Sequence, residues 1–306
     1  MNIKNKHDTL IELARKTPTP LTMGIINPTT QDCLESIVES SNLGLIKPII
    51  FGPNQLINLA AAKHNIDISQ FSFVETEDGI SATKQAIAYV NAGKLNSLMK
   101  GSIHSDKLLH LVVAKESNLR TDRRISHAWV IDIPTYEKLM IFTDAAINVL
   151  PNLKTKRDII QNAIYLAKAL DIDKPEVAII AATESVLDYM PTTVDAVALC
   201  NDAANGNIKG GILAGPMGFD LAVSLEARKA KNVQYAISHR PDIFLMPNLE
   251  AGNISVKILD YLAFAEGAGI VLGAKIPIVL TSRSSTTRER VVSCAMAKLC
   301  YEKIKP

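Results

Sequence analysis

The chain has 306 residues, of which 47% are hydrophobic and 21% are charged, and its formal net charge is +2. This length supports one large or two moderate domains, and the small net charge argues against nucleic acid or an anionic membrane surface as a partner. The polar N-terminus has no signal-peptide core, and the longest apolar stretch, residues 268–281, is too short to span a bilayer. The four cysteines form no CxxC pair, so we expect a reducing, cytoplasmic environment.

Short apolar segments alternate with longer amphipathic segments, which is typical of parallel α/β sheets with right-handed crossovers. The predicted strands are Leu21–Ile26, Pro48–Phe51, Phe71–Glu75, Ser97–Lys100, Val177–Ala182, Gly211–Ala214, Ile243–Met246, Ile270–Leu272 and Ile276–Thr281. The predicted helices are Thr30–Asn42, Gln55–His64, Ser81–Ala92, Asp106–Lys115, Lys156–Leu170, Thr193–Gly206, Phe219–Lys231, Gly252–Glu266 and Thr286–Tyr301.

The middle of the chain departs from this alternation. His127–Ile133 and Lys138–Phe142 are two consecutive apolar segments joined by Pro134-Thr135-Tyr136-Glu137. This pattern predicts a β-hairpin, and therefore an antiparallel element within a mainly parallel arrangement.

The residues after the last predicted strand indicate an anion site. Five of the six residues 282–287 are serine or threonine, whereas a helix N-cap requires only one. Ligands of open α/β sheets bind at the carboxyl ends of strands, and the following helix offers free N–H groups. The planar fork of Arg283 suits phosphate. We therefore predict that Ser282, Arg283, Ser284 and Ser285 surround an anion.

Other polar residues follow predicted strands or lie in basic segments. For the basic run Arg120–Arg124, the alternative interpretation is an ordinary solvated surface. For Asp220, which follows the glycine-rich segment 210–218, the alternative is a helix cap. The sequence contains no GxxxxGK[ST], HExxH or GxSxG motif, which argues against a P-loop, a zincin site and a hydrolase nucleophile elbow. The further candidate residues are Lys100, Ser102, Arg120, Arg123, Asp144 and Asp220.

Eight segments, in order, resemble the phosphate acetyl/butyryltransferase family, and most closely its short bacterial members. They cover nearly the whole chain beyond residue 95. The segments are MKGSIHSD from Met99, LRTDRRISHAWVID from Leu119, FTDAAINVLPNLKTKRDIIQNAI from Phe142, VAIIAATESV from Val177, MPTTVDAVAL from Met190, GGILAGPMGFDLAVS from Gly210, LEAGNISVKIL from Leu249 and GIVLGAKIPIVLTSRS from Gly269.

This resemblance implies an α/β fold shared with isocitrate and isopropylmalate dehydrogenases, with mainly parallel sheets in two domains and an interdomain cleft. Residues 1–145 with 268–306 would form one domain and residues 146–267 the other. The implied reaction is the reversible transfer of an acetyl or butyryl group between coenzyme A and inorganic phosphate, by direct attack in a ternary complex. Acyl-CoA, CoA, phosphate and acyl phosphate are then substrates, with no cofactor, no metal and a homodimeric assembly.

The resemblance also assigns roles to individual residues. Ser282 and Arg283 match the family's active-site Ser-Arg pair, and Glu289 lies where longer acetyltransferases have an acidic base. Chemistry alone leaves the base for the CoA thiol open among Glu289, Asp220 and Asp144. The catalytic candidates are therefore Ser282, Arg283, Glu289 and Asp220, and the substrate-binding candidates are Lys100, Ser102, Arg120, Arg123, Asp144, Ser284 and Ser285. The chain departs from many family members at His110, where they have an anion-binding arginine, and at Ser284-Ser285, where close relatives often have Ala-Asp.

Two other functions compete with this hypothesis. A metal-dependent decarboxylating dehydrogenase of the same fold would require several aspartates around a divalent cation. Asp144, Asp195, Asp202 and Asp220 are available for that role. A non-catalytic regulator that binds CoA or acyl phosphate would fit the departures at His110 and Ser285.

Overall fold

The computed structural model describes residues 5–303 of the chain. Backbone contacts divide these residues into two compact units, which we call the terminal unit (residues 5–123 with 268–303) and the central unit (residues 124–267). The boundaries of these units follow Arg123 and Gly267, and the division into domains of residues 1–145 with 268–306 and residues 146–267 stays a prediction.

The terminal unit is a mainly parallel sheet with the strand order β3-β2-β1-β4-β11-β10. Strand β1 pairs in parallel with β2 and β4, β4 pairs in parallel with β11, and β10 and β11 are antiparallel. Its elements are α1 (Lys6–Arg15), β1 (Leu21–Ile26), α2 (Gln31–Asn42), β2 (Ile46–Gly52), α3 (Asn54–Lys63), β3 (Ser72–Glu75), α4 (Gly79–Asn91), β4 (Ser97–Lys100), α5 (Ser105–Val113), a 3₁₀ turn (Lys115–Ser117), β10 (Glu266–Leu272, from Ala268 on), β11 (Ile278–Val279) and α11 (Thr287–Lys303).

The central unit has the strand order β5-β6-β9-β7-β8. The predicted hairpin is confirmed, because β5 and β6 pair in antiparallel register with Ala128 opposite Thr143. Strand β6 also pairs with β9, so the hairpin belongs to this unit, and this pairing is why the first boundary precedes it. The elements are β5 (Ser126–Asp132), β6 (Met140–Thr143), α6 (Leu153–Ala169), β7 (Glu176–Ile180), α7 (Pro191–Ala204), β8 (Ile212–Met217), α8 (Phe219–Val223), α9 (Leu225–Ala230), β9 (Ile243–Leu245) and α10 (Leu249–Leu262).

Local capping explains where two predicted helices were wrong in extent. The single helix predicted for residues 219–231 is two helices, because Ser224 is extended and its side chain accepts a hydrogen bond from Ala227 N as the N-cap of α9. Helix α10 starts earlier than predicted because Asn248 caps it, accepting from Ala251 N at 2.9 Å. It ends at Leu262, and Glu266 already belongs to β10.

Helix α11 is the central helix of the terminal unit. Residues 289–300 are all buried, and the helix packs against α1 and α2. Small side chains such as Ser293, Ala295 and Ala297 permit this burial on every face. Strand β11 ends at Val279, so residues 280–286 form a loop between the sheet and the start of α11. Within residues 5–303, no helix is both long and apolar enough to cross a membrane.

Candidate active site

A pocket of about 260 Å³ lies at the carboxyl edge of the sheet in the terminal unit. Strands β1, β4 and β11 are mutually parallel, so the residues that follow them meet at one edge. The pocket brings together three of the predicted residues, Lys100, Ser102 and Arg283. Its complete lining is Thr30, Lys100, Gly101, Ser102, Ile103, His104, Arg283 and Arg290.

The segment after β4 is fixed to the segment after β1 by its backbone. Gly101 N donates to Ile26 O at 2.9 Å, and Ser102 N donates to Asn27 O at 2.8 Å. A Cβ atom on residue 101 would lie 2.3 Å from Ile26 O, so only glycine permits this approach. The Ser102 hydroxyl accepts a hydrogen bond from Thr29 Oγ1 at 2.6 Å. This side of the pocket is therefore held in one conformation by the fold.

The serine-rich loop contributes Arg283 to the pocket, while the predicted residues Ser282, Ser284 and Ser285 lie outside the lining, and their role in anion binding stays a prediction. Ser285 N donates to Ser282 O at 3.3 Å, and the hydroxyls of Ser282 and Ser284 lie 3.0 Å apart. Ser285 is buried, whereas Ser284 and Arg283 are exposed. Arg290 Nη2 also donates to Ser282 O at 3.0 Å. The loop therefore has a defined backbone while the head group of Arg283 remains outside the core.

The Glu289 carboxylate has a structural partner at the start of α11. Its Oε2 accepts from Thr286 N at 2.7 Å, and Thr286 Oγ1 accepts from Glu289 N at 3.2 Å. These two reciprocal bonds form a capping box. Glu289 does not line the pocket described above, and its role as the base stays a prediction.

Three cationic side chains line the pocket without a carboxylate partner. Among the described residues, Lys100, Arg283 and Arg290 form no salt bridge. Burial lowers the pKa of Lys100, and the positive charges of Arg290 and Arg283 lower that pKa further. An unpaired buried cation is unfavourable, so this arrangement is suited to an anion.

Arg290 is the most enclosed of these cations. It is 3% exposed, and its Nη1 donates to Thr281 Oγ1 at 2.8 Å. Its buried Nε has no hydrogen-bond partner in the described part of the chain. A buried N–H without an acceptor is costly, and an anion in the pocket would supply one.

The N-terminus of α2 adds further donors. Thr30 lines the pocket and occupies the N-cap position of this 12-residue helix, but its side chain makes no capping hydrogen bond. The first backbone N–H groups of a helix and its dipole attract anions. The cations of the pocket and the N-terminus of α2 therefore both favour an anion.

The two predicted arginines of the basic run lie outside the pocket lining. Arg120 is exposed, and its backbone forms an isolated antiparallel bridge with Ala274. Arg123 N donates to Thr121 Oγ1 at 3.2 Å. His110 is exposed on α5 and is likewise absent from the lining. Substrate binding by Arg120 and Arg123 stays a prediction.

The two predicted aspartates belong to the central unit, and each has local partners. The Asp144 carboxylate accepts from Ala146 N (2.9 Å), Ile147 N (3.0 Å), Asn148 N (3.2 Å) and Asn148 Nδ2 (2.6 Å). Asp220 is exposed near the start of α8. Its carboxylate lies 3.5 Å from Lys231 Nζ. In this structure Asp144 therefore stabilises its own turn, and Asp220 belongs to a surface ion pair.

The aspartates named for a metal site are also engaged by protein groups. Asp195 pairs with Lys156 at 2.8 Å, and Asp202 pairs with Arg157. Among residues 5–303, no group of three or more His, Cys, Asp or Glu side chains is arranged so that it could hold a metal ion. These contacts do not favour the dehydrogenase hypothesis.

Sequence reasoning assigned no role to five of the eight lining residues, namely Thr30, Gly101, Ile103, His104 and Arg290. His104 lies within the segment MKGSIHSD, and Thr30 begins a predicted helix, but neither was assigned a role. Arg290 lies directly after the segment that was considered. Its available signal was its position one helical turn after the serine-rich loop, directly before the mainly apolar residues 291–297.

Comparisons with known proteins agree on one family. Residues 79–298 match the family model described as "Phosphate acetyl/butaryl transferase". The chain is 42% identical over 295 residues to a phosphate acetyltransferase of Rhizobium meliloti, covering 96% of this chain and 93% of the relative. It is 35% identical over 292 residues to a phosphate butyryltransferase of Clostridium beijerinckii, covering 95% and 96% respectively.

Solved structures give the same result for the fold. A branched-chain phosphotransacylase from Enterococcus faecalis V583 superimposes with a TM-score of 0.79 at 26% identity. The match covers 93% of this chain and 100% of that chain. The mixed α/β architecture is therefore that of known phosphotransacylases.

Proposed function

Because this chain belongs to the phosphate acetyl/butyryl transferase family, we propose that it transfers a short acyl group reversibly between coenzyme A and inorganic phosphate. The observation that supports this most strongly is the set of three cations, Lys100, Arg283 and Arg290, that line one pocket without a carboxylate partner. Phosphate is a compact anion with several acceptor oxygens, and it matches the donors there.

The buried cations bind the phosphate in this proposal. Lys100 and Arg290 are 4% and 3% exposed, so their charges act where water screens them little. The Nε of Arg290 gains an acceptor, and the N-terminus of α2 contributes N–H donors. Because most of these groups are already fixed by the fold, phosphate binding costs less conformational entropy than it would with mobile side chains.

Transfer then proceeds by direct attack in a ternary complex. A phosphate oxygen forms a bond to the thioester carbonyl carbon, the carbon–sulfur bond breaks, and CoA leaves as the thiolate and takes up a proton. Arg283 and the Ser282 hydroxyl stabilise the negative charge on the carbonyl oxygen in the tetrahedral transition state. Holding both substrates in one site supplies the proximity advantage, so no acyl-enzyme is required.

In the reverse direction a base that accepts the CoA thiol proton assists the reaction. Glu289, Asp220 and Asp144 remain the predicted candidates. The capping bonds of Glu289 and the four bonds to Asp144 engage both carboxylates in this structure. Of the three, Asp220 has the most exposed carboxylate, with a side chain 54% accessible.

The enzyme acts as a homodimer in this proposal. Helix α10 presents exposed apolar side chains at positions 254, 258, 261 and 262, which recur with helical spacing on one side. Such a surface is typical of a protein–protein interface. We also assign the chain to the isocitrate and isopropylmalate dehydrogenase-like fold, and to the cytoplasm, on the sequence arguments given above.

A thiol-release assay tests the proposed reaction. The purified chain is incubated with acyl-CoAs of two to six carbons, with and without inorganic phosphate, and free CoA thiol is measured. We expect release that depends on phosphate and is fastest with acetyl- or butyryl-CoA. Equal release without phosphate would indicate a thioesterase, and no release with any acyl-CoA would contradict the proposal. Parallel measurement of NADH formation with hydroxy-acid substrates tests the dehydrogenase hypothesis.

A further inference from the structure

Arg283 has one side-chain partner among the described residues, and that partner is a histidine. Arg283 Nη2 lies 2.8 Å from Nδ1 of His104 and 3.4 Å from its Nε2. Both residues line the pocket. A donor in line with the in-plane lone pair of Nδ1 would lie much farther from Nε2, so Nη2 lies over the face of the imidazole ring. The guanidinium therefore stacks on this ring, whose face attracts a cation.

Arg283 requires such a partner because its position depends on a flexible side chain. Its backbone is held by the bonds of Ser282 and Ser285, but the side chain itself is exposed. Arginine loses considerable rotamer freedom when it is held in one orientation. An aromatic ring can orient the guanidinium without neutralising it, whereas a carboxylate would compete with the substrate for its charge.

His104 is itself rigidly placed. It lies at the N-cap position of α5, and its backbone oxygen accepts from Leu108 N at 3.2 Å. The preceding residues are fixed by the bonds of Gly101 and Ser102 to the segment after β1. The ring therefore extends from one of the best-fixed segments of the pocket.

The choice of histidine at this position gives an independent indication. Ser, Thr, Asp and Asn are the favoured N-cap residues because their side chains accept from the first helical N–H groups. The His104 side chain makes no capping hydrogen bond. The chain thus forgoes a cap at α5 and has instead an imidazole directed to Arg283.

We propose that His104 is a positioning residue that holds the Arg283 guanidinium in its orientation toward the anion pocket by stacking against its imidazole ring. This inference rests on the proposed function, because it supposes that Arg283 acts on the phosphate or on the reacting carbonyl.

Two matched variants separate positioning from helix capping. Ser is a good N-cap without a ring, whereas Phe offers an aromatic face without a cap. We expect His104→Ser to lower kcat/KM by about fivefold or more, as for loss of a contact between a cation and an aromatic ring. His104→Phe is expected to stay within about twofold of the unchanged protein. In an Arg283→Ala background, both substitutions should add no further loss.

Equal activity of the Ser and Phe variants, or losses that multiply with that of Arg283→Ala, would overturn the inference. Calorimetric titration of the same variants with inorganic phosphate keeps the two proposals separable. If the unchanged protein binds phosphate but transfers no acyl group, the proposed reaction fails. In that case Arg283 can act only on phosphate, so weaker phosphate binding in His104→Ser than in His104→Phe would still support positioning, and equal binding in the two variants would refute it.

Discussion

Replacement of Lys100 by methionine tests whether this lysine serves anion binding while lowering the stability of the phosphate-free protein. Methionine has a similar unbranched shape but lacks the charge. The Lys100 amine is buried, and its shortest hydrogen bond is a long one of 3.5 Å to Gly101 O. Burial and the nearby Arg290 and Arg283 lower its pKa. We therefore expect Lys100→Met to leave the melting temperature of the phosphate-free protein unchanged or raised.

The same Lys100→Met substitution should weaken phosphate binding. Loss of one charge-assisted hydrogen bond costs about 1.5–3 kcal/mol, which weakens binding by about 10- to 150-fold. At a phosphate concentration of about 100 Kd, ligand binding stabilises the unchanged protein by about 2.7 kcal/mol. A variant with about 30-fold weaker binding would gain only about 0.9 kcal/mol under the same conditions. Melting curves across a phosphate titration, together with the KM for phosphate, measure both effects.

Lys298 provides the matched control. It is also a buried lysine of the terminal unit, at 1% exposure. Its Nζ donates to Thr17 O at 3.0 Å and to Gly44 O at 2.9 Å, and it lies outside the pocket lining. Lys298→Met should lower stability by about 1–3 kcal/mol, because two partly buried carbonyls lose a donor, and should leave the KM for phosphate unchanged. If Lys100→Met destabilises the protein like Lys298→Met while phosphate binding stays intact, the reasoning about the pocket is wrong.

Three further substitutions and conditions test other parts of the site. Arg283→Ala should lower kcat by about 10² or more, as for loss of one oxyanion donor, and Arg283→Lys should recover only part of the rate. The free energy of unfolding of both variants should change by no more than about 0.5 kcal/mol. Early melting with a normal kcat would instead make Arg283 a structural residue. Gly101→Ala should destabilise the protein by about 1–3 kcal/mol in urea unfolding, since its Cβ would lie 2.3 Å from Ile26 O, and unchanged stability would contradict the close approach. Because the pKa of Lys100 is lowered, its amine loses its charge at a lower pH than an ordinary lysine does. The KM for phosphate should therefore begin to rise with increasing pH before the pH reaches the usual lysine pKa. A Lys100→Arg protein stays charged and should lack this rise.

Element type was largely predictable from the sequence because apolar periodicity reflects burial. Strands β1 and β4 have the predicted bounds. Strand β1 is mainly apolar, as expected for a strand buried on both faces. Helix α1 was missed: only three of its ten residues, His7, Leu10 and Ala14, are buried, so its apolar signal is weak. The antiparallel pairing of β10 with β11 was also missed, because neither the direction nor the partner of a short apolar strand is encoded in its periodicity.

The sequence predicted the site only where residues of suitable chemistry are also close together in the chain. The serine-rich loop and Arg283 follow one strand, so the rule for strand ends located them. Lys100 and His104 come from a segment about 180 positions earlier, and no local pattern shows that β4 lies beside β11. Arg290 was overlooked because its position on α11 indicates a core helix, and only the three-dimensional structure shows its guanidinium at the pocket.

The discontinuous composition of the terminal unit has a consequence for biosynthesis. Strand β4 needs β11 as a neighbour, yet residues 101–277 must be translated between them. At about 5–20 residues per second, this edge stays unpaired for about 10–35 s on the ribosome. During that interval the wholly buried residues of β4 and the surface later covered by α11 are open to wrong partners, whereas the central unit can already fold. The nascent chain should therefore depend on protection by chaperones until its last 40 residues emerge, and slower translation near the end should lower the yield of active enzyme more than the same delay near the start.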